Sequence, residues 1–445
     1  MPRIPQNIIE EIKYRNPIED VISSYVKLTR AGANMKGLCP FHSEKTPSFT
    51  VYTSSSSFYC FGCRAGGDVI SFIMKAENLD YPSAAEFLAN RVGITIPEQD
   101  EDPYIKKTIS RSKIIEMNTA AARFFRETLF DETEGAPGRA YLANRGLGLP
   151  IIKRFGLGFA TDSFDRLRNH LRSLGYTDEH MIEACLCKKS EKSNSVYDFF
   201  RNRVMFPLID VSGNVVAFGG RSLEKNPQRK YINTGDTPAF NKRKTLFGLN
   251  FAKNNCDDHL LLVEGNIDVV TLHQAGFENA VATLGTSITS DHARVIRKYT
   301  GRVFISYDSD SAGQSATEKA IKILDDVGLE TKVIKYEGAK DPDEYILKYG
   351  KEAFRKLIEE GKSKFDFIID RTLSQYDLNK DDDKIAASGE LAVIAASIDS
   401  RVERDLFISK VSIKLEVNKL SFEHDVNSAI RKKSYRDKKE NHEKL

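Results

Sequence analysis

Six acidic side chains, Glu264, Asp268, Asp308, Asp310, Asp341 and Asp343, fall at or just beyond the ends of strand-like apolar runs. Glu264 follows Leu260-Leu261-Leu262-Val263 and precedes Gly265, while Asp308 and Asp310 follow Val303-Phe304-Ile305-Ser306-Tyr307. Carboxylates gathered in this way repel one another unless hard cations neutralise them. In an open parallel sheet, ligands sit outside the carboxyl ends of the strands. The pattern therefore predicts a divalent-metal site, with Mg²⁺ as the type, acting on phosphates. Asp268 follows Glu264 by one helical turn. Asp308 and Asp310 alternate with Ser309, which puts both on one side of an extended segment. Lys340-Asp341-Pro342-Asp343 adds two acids from a loop. Such carboxylates can hold two ions about 3.5–4 Å apart, clamping the attacking and leaving oxygens of a phosphoryl transfer.

A second constellation lies near the N-terminus. Cys39-Pro40-Phe41-His42 and Cys60-Phe61-Gly62-Cys63 form a C-x₂-H-x₁₇-C-x₂-C pattern. Two-residue spacers let each pair grip one ion from a tight turn, and four N/S ligands leave no open position for a substrate. Cys39, His42, Cys60 and Cys63 are therefore expected to hold one structural Zn²⁺. Cys185, Cys187 and Cys256 have no matching partners and read as free thiols. Between the zinc pairs, Phe49, Tyr52 and Phe58 either stack on a nucleic-acid strand or form a small core around the metal. Lys36, Lys45 and Arg64 are the better surface candidates.

Regular elements must carry these groups. From His259 onward, strand and helix patterns alternate: strands at 260–263, 280–284, 302–307 and 332–336, helices at 267–274, 290–299 and 312–327. Such alternation implies a parallel sheet covered on both faces. Upstream, helices are expected near 6–14, 68–77, 83–92 and 112–130, with Asp68 as a first-turn acid. Residues 139–256 mix short strands and helices, and residues 341–430 read as mostly helical. From Arg221 to Lys244 there are seven Lys/Arg and two acids, a patch that suits a polyanion. The fold class is multidomain α/β: a small zinc-ribbon-like module (1–97), a mixed α/β basic subdomain (104–256), a parallel-sheet catalytic domain (257–343) and a helical subdomain (344–430). An acidic, proline-bounded linker is expected at 97–103. The tail 431–445, with seven Lys/Arg against three acids, reads as disordered.

The chain has 445 residues and a net charge of +3, so any nucleic-acid signal is local rather than global. No apolar stretch approaches the ~20 residues of a membrane span, and the N-terminus lacks the apolar core of an export signal. A cytoplasmic location, away from membranes, is expected.

The ordered set of motifs resembles the bacterial replicative DNA primase family, over roughly residues 1–420. The zinc pairs with Glu44-Lys45-Thr46-Pro47-Ser48-Phe49 resemble its zinc module. Val263-Glu264-Gly265 with Asp268, Asp308-Ser309-Asp310 and Lys340-Asp341-Pro342-Asp343 are similar to its Toprim catalytic domain. Arg145-Gly146, Gly220-Arg221, Lys230-Tyr231-Ile232-Asn233 and Lys242 resemble its RNA-polymerase subdomain. The resemblance implies synthesis of short RNA primers on single-stranded DNA from ribonucleoside triphosphates, giving an RNA–DNA hybrid. It implies Mg²⁺ or Mn²⁺, two or more ions, on the acids, with Glu264, Asp308 and Asp310 catalytic. Arg145, Arg221, Lys230, Tyr231, Asn233 and Lys242 would bind template and nucleotides, and the zinc module would help to set initiation. A replicative helicase is the family's usual partner, through a separate C-terminal domain of about 130–150 residues. No such domain fits after residue 430, which counts against helicase contact. A topoisomerase of the Toprim type would need a catalytic tyrosine in another large domain. Glu360-Gly361-Lys362-Ser363 ends like a P-loop but has Lys at 356 where the motif needs Gly. A zinc-plus-Toprim mediator without catalysis would have lost the metal carboxylates.

Overall fold

The computed structural model describes residues 4–443 except 43, 45, 78, 80, 97–108, 192 and 286, with the backbone alone for 433–443. The linker expected at 97–103 and Lys45 lie outside the described residues.

The N-terminal unit opens with α1 (Gln6–Arg15) and α2 (Ile18–Ser23). An antiparallel sheet follows in sequential order: β1 (Thr29–Ala31), β2 (Asn34–Gly37), β3 (Phe49–Tyr52), β4 (Ser57–Cys60) and β5 (Gly66–Gly67). Helices α3 (Val69–Ala76) and α4 (Tyr81–Arg91) complete it. Asp68 proves to be the N-cap of α3 and accepts the Ser71 N–H at 2.8 Å. Alternation along β4 sends Phe58 inward and Tyr59 outward. Phe49 and Phe58 stack at 5.3 Å and join Phe72 in the core, so burial decides their role against nucleic-acid stacking.

The second unit is built on α5 (Arg111–Phe130), α6 (Ala136–Asn144) and α7 (Leu149–Arg154). Then come β6 (Gly158–Ala160), α8 (Arg166–Ser173), α9 (Asp178–Glu183), the hairpin β7 (Cys187–Lys189)–β8 (Val196–Asp198), β9 (Arg203–Ile209), β10 (Val215–Ser222), β11 (Tyr231–Asn233) and α10 (Leu249–Ala252). Four strands form an antiparallel sheet in the order β11-β10-β9-β6.

The third unit runs β12 (Leu260–Val263), α11 (Asn266–Gln274), β13 (Ala280–Ala282), α12 (Ser290–Ile296), β14 (Arg302–Ile305), α13 (Ser311–Asp325), β15 (Glu330–Val333), α14 (Pro342–Glu359) and β16 (Lys362–Ser363). The sheet order is β13-β12-β14-β15-β16, parallel except for β16. The period-2 pattern feeds two cores. Leu261, Val263 and Phe304 pack with α11, α14 and the second unit, while Leu260, Leu262, Val303 and Ile305 pack with α12 and α13. The last strand, expected at 332–336, lies at 330–333 because pairing with β14 sets its register from Arg302↔Glu330 to Ile305↔Val333.

Helices α15 (Lys364–Leu373), α16 (Asp381–Ala396), α17 (Arg401–Leu415) and α18 (Lys419–Glu443) form the last unit around Leu391, Phe407 and Phe422. The tail expected to be disordered has a helical backbone to Glu443. No Gly or Pro interrupts 419–443, and Lys, Arg and Glu are good helix formers. A helix anchored at Phe422 and Val426 therefore propagates at little cost.

Candidate active site and zinc centre

The zinc ligands come from the β2–β3 loop and the turn after β4. The ligand atoms of Cys39, His42, Cys60 and Cys63 all lie within 4.8 Å of one another. Cys39 Sγ and Cys63 Sγ are 3.7 Å apart, and Cys60 Sγ and His42 Nδ1 are 3.8 Å apart. Four ligands about 2.3 Å from one tetrahedral ion sit about 3.7 Å apart, so the quartet fits zinc. The other ring nitrogen, His42 Nε2, lies 3.2 Å from Glu44 Oε2. Glu44 also accepts the Cys39 N–H at 2.7 Å and the Ser48 N–H at 3.1 Å. A carboxylate behind a ligating imidazole fixes its tautomer and orientation. Nothing in the sequence pattern points to this role for Glu44, because only the folded loop places it behind His42. Gly62 is required by the same ring: a Cβ there would lie 2.5 Å from His42 Nε2. Without an ion, burial pushes the Cys39 thiol up to about 12. Burial also raises Cys60, but hydrogen bonds from Ser48 and from the amides of Cys63 and Gly62 outweigh it and bring that thiol down to about 7.

The acidic residues converge at the carboxyl ends of β12 and β14. Glu264 ends β12, and its Oε1 accepts the Asp308 N–H at 3.2 Å. Gly313 lets α13 start against them, since a Cβ there would lie 2.2 Å from the Asp308 carbonyl and 3.0 Å from Glu264 Oε1. Asp268 caps the start of α11 by accepting the Gly265 N–H at 3.0 Å. Asp310 has the extended backbone expected of it and is also the N-cap of α13, accepting the Gly313 N–H at 2.7 Å. Asp341 caps α14 in the same way, with the Glu344 N–H at 2.7 Å. Asp343 is buried and accepts from Thr271 Oγ1 at 2.8 Å and from Arg145 at 2.8 Å.

Burial, then the charges of Glu264, Asp341 and Asp310, raise Asp308 to about 7. Burial, then Asp341, Asp308 and Asp343, hold Asp268 well above the usual carboxylate range. Burial, then Asp310, raises Glu264. These groups face one mouth. Among the described residues the zinc quartet is the one group whose ligand atoms all lie within 4.8 Å of one another, and the carboxylates are not that close. Their donors are oxygens alone, and their mutual repulsion is what hard cations relieve, so the set fits divalent metal.

Next to the acids stands the antiparallel sheet of the second unit. The Arg145 guanidinium, at the end of α6, lies 5.8 Å from the Tyr141 ring, while Arg221 of β10 lies 5.6 Å from Tyr141 and 5.4 Å from Tyr231. Arg221 Nε and Asn233 Oδ1 are buried without hydrogen-bond partners, while Asn233 Nδ2 donates to the Leu284 carbonyl at 2.8 Å. Gly219 faces Asn233 across the β10–β11 pair, and a Cβ there would lie 2.8 Å from Asn266 Nδ2. The sheet thus abuts the start of α11. The Lys230 charge acts to lower Asp308, which places it toward the acidic mouth. Lys242 lies in the loop before α10, its N–H bonded to Asp236 at 2.9 Å. Tyr141, Thr271 and Asn266 had no sequence signal; only the fold brings them to the site.

The comparisons with known proteins agree with this geometry. Family models match as the CHC2 zinc finger over 4–104, the DNA primase catalytic core N-terminal domain over 124–253 and a Toprim-like domain over 261–346. A fourth, the DnaB-helicase binding domain of primase, matches 365–419. That match corrects the expectation against helicase contact. The matched segment spans α15–α17. DNA primase of Clostridium acetobutylicum is 40% identical over 430 residues, covering 96% of this chain and 71% of its own. That of Halalkalibacterium halodurans is 37% identical over 413 residues, covering 92% and 69%. The zinc-binding and RNA polymerase domains of Aquifex aeolicus primase superpose with a TM-score of 0.60 at 32% identity, covering 93% of this chain and 98% of that one. A primase catalytic domain solved with bound single-stranded DNA superposes with a TM-score of 0.60 at 31% identity, covering 70% and 98%. A zinc finger, a primase core domain and a Toprim-like domain, matched in that order along nearly the whole length, mean that this chain belongs to the bacterial DNA primase family of RNA-polymerase-type nucleotidyltransferases in DNA replication.

Proposed function

We propose that the acidic mouth is the nucleotidyl-transfer centre of a primase that copies single-stranded DNA into short RNA primers. Glu264, Asp308 and Asp310 are the catalytic ligands of two or more Mg²⁺ or Mn²⁺ ions, with Asp268, Asp341 and Asp343 as further or outer ones. When bound, such ions lower the pKa of the attacking 3′-hydroxyl and stabilise charge on the reacting phosphate. Lys230 and Lys242 hold the triphosphate of the incoming ribonucleotide. Arg145 and Arg221, with Tyr231 and Asn233, hold template and hybrid. The orphaned Arg221 Nε and Asn233 Oδ1 are the polar atoms that such a ligand would satisfy. The helicase docks on the matched helical segment, where Val402, Leu406 and Ile413 lie on one exposed face of α17. Among the described residues no helix is long and apolar enough to cross a membrane, and the enzyme works in the cytoplasm at the replication fork.

One observation carries the assignment: carboxylates held above their usual range, by burial first and by one another's charge second, in one mouth beside an arginine-bearing sheet edge with unsatisfied polar atoms. The test is primer synthesis on single-stranded DNA by Glu264→Gln. Loss of product with retained zinc and DNA binding supports the role; near-normal product in saturating Mg²⁺ refutes it.

A further inference from the structure

Asp308 and Asp310 stand on a short loop that runs into α13, and the start of that helix is packed tightly against them. Asp310 caps it, and a Cβ on Gly313 would lie 2.2 Å from the Asp308 carbonyl. The residue between the two acids is held from two directions. The Ser309 N–H bonds the Lys340 carbonyl at 2.8 Å, and the Ser309 carbonyl accepts from Gln314 Nε2 at 3.2 Å. The Gln314 N–H also bonds the Asp310 carbonyl at 3.0 Å. Gln314 thus joins the first turn of α13 to the loop that carries both acids.

Gln314 is in turn held by Arg371 of α15, a helix outside the catalytic sheet and within the segment matched at 365–419. The Arg371 guanidinium donates to the Gln314 carbonyl at 3.3 Å and to Ser315 Oγ at 3.2 Å, and it pairs with Glu318. Its side chain is mostly buried, at 18% exposure. A planar fork that spans a carbonyl, a hydroxyl and a carboxylate has little freedom left. Arg371, Gln314, Ser309 and Asp308 line one small cavity of about 90 Å³. The same helix reaches the far end of α13, where Lys364 bonds both carboxylate oxygens of Asp325 at 2.9 and 2.7 Å. α15 therefore grips α13 at both ends, and the Arg371 end is the one that adjoins the acids.

We infer that Arg371 is a positioning residue for the metal site: by holding the first turn of α13 it sets the spacing of the Asp308 and Asp310 carboxylates. This rests on the metal-binding reading proposed above and deepens it, because the residue that fixes the ligands lies in another unit. The sign of the effect separates geometry from charge. Removing a cation near a metal site would, by charge alone, tighten Mg²⁺ binding. Loosening the support behind two ligands weakens it.

The test uses the full chain with zinc bound. Primer synthesis on single-stranded DNA is titrated with Mg²⁺, and DNA affinity is measured in magnesium-free buffer. Arg371→Met should raise the Mg²⁺ concentration for half-maximal synthesis about 10-fold, the lower end of what losing an outer-shell partner costs. The rate at saturating Mg²⁺ and the DNA affinity should stay close to wild type. Arg371→Lys keeps the charge but puts a single ammonium where the fork spanned three partners; it should shift the Mg²⁺ requirement in the same direction, and it carries the test if Arg371→Met does not fold. Lys364→Met cuts the grip at the far end of α13 and should leave the Mg²⁺ requirement unchanged. If Glu264→Gln is inactive while both Arg371 variants need no more Mg²⁺ than wild type, the positioning role is refuted and the metal site stands. Equal rises in Arg371→Met and Lys364→Met refute it as well, because general loosening of the helical unit then explains both. If Glu264→Gln makes primers normally, the metal reading itself falls, and the role of Arg371 with it.

Discussion

Replacing Asp308 by Asn should abolish primer synthesis and, at the same time, stabilise the metal-free protein. Asp308 is half-buried among Glu264, Asp341 and Asp310, and titrates near 7 in place of 3.8. The sign follows from proton linkage. Between those two values the native state binds more protons than the unfolded chain, so stability falls as pH rises. The penalty is absent below pH 3.8, grows up to about 7 and is constant above it. At about 1.4 kcal/mol per pH unit, it would reach about 4 kcal/mol for a fully shielded group. Asp308 is partly in contact with solvent, and screening reduces this to about 1–2 kcal/mol. Asparagine keeps the shape and removes the charge; the Asp308 N–H that bonds Glu264 belongs to the backbone and survives. At pH 8, in magnesium-free buffer without chelator so that zinc stays bound, calorimetry should show the Toprim transition of Asp308→Asn a few degrees above wild type. At pH 5 most of the difference should be gone. Adding Mg²⁺ at about 100 times its Kd should raise wild type by about 2.7 kcal/mol and the variant by less. A variant that melts at or below wild type at pH 8, or that responds equally to Mg²⁺, would refute the argument that these carboxylates wait for cations.

Other outcomes follow from the same geometry. Cys60→Ser should release the one zinc per chain, measurable by elemental analysis, and unfold the N-terminal sheet while Mg²⁺ still shifts the Toprim transition. Arg221→Ala should lower the slope of log affinity against log salt for single-stranded DNA by about 0.7 and leave the Mg²⁺ requirement alone. Lys230→Ala should raise the KM for ribonucleoside triphosphates with little change in DNA affinity. Arg145→Ala should destabilise the fold by about 3 kcal/mol, because it strands the buried Asp343; adding Asp343→Asn should recover most of that loss in denaturant titrations.

Residue chemistry made the two centres legible before any fold was known. Cys and His at two-residue spacing have few other uses, and acids at the ends of apolar strands carry a cost that demands a purpose. What each acid does locally was not legible. Asp310 and Asp341 are helix N-caps, and capping depends on where strands end; β14 stops at Ile305, not at Tyr307. Tyr141 is an ordinary residue far in sequence from the acids, so only tertiary packing could bring it to the site; Asn266 and Thr271 flank Asp268 on α11 but belong to no motif. The aromatic residues of the zinc module were undecided because a stacking surface and a small core use the same rings. Phe58 and Tyr59 are neighbours with opposite fates, set by the inward and outward alternation of β4. The helicase-binding segment at 365–419 was missed for a different reason: its helices carry no local residue pattern that marks a partner surface.

The placement of the acids also explains how the sheet tolerates them without cations. Asp268, Asp310 and Asp341 sit at the starts of α11, α13 and α14, where unpaired N–H groups and the helix dipole favour negative charge by about 0.3–1 kcal/mol each. That is comparable to the repulsion left at a half-exposed carboxylate and far below the desolvation cost of a buried one. The two cases separate as this comparison requires. Asp268 is nearly inaccessible, and its capping bond does not prevent burial from raising it well above the usual range. Asp308 is more open but caps no helix, and it too is raised. Glu264 caps no helix and is raised as well, and all three groups lie in the mouth beside the end of β12. A cation entering there would gain most from the three carboxylates the fold leaves least satisfied. On the proposed function, metal binding would draw on the electrostatic strain that burial leaves at these three carboxylates.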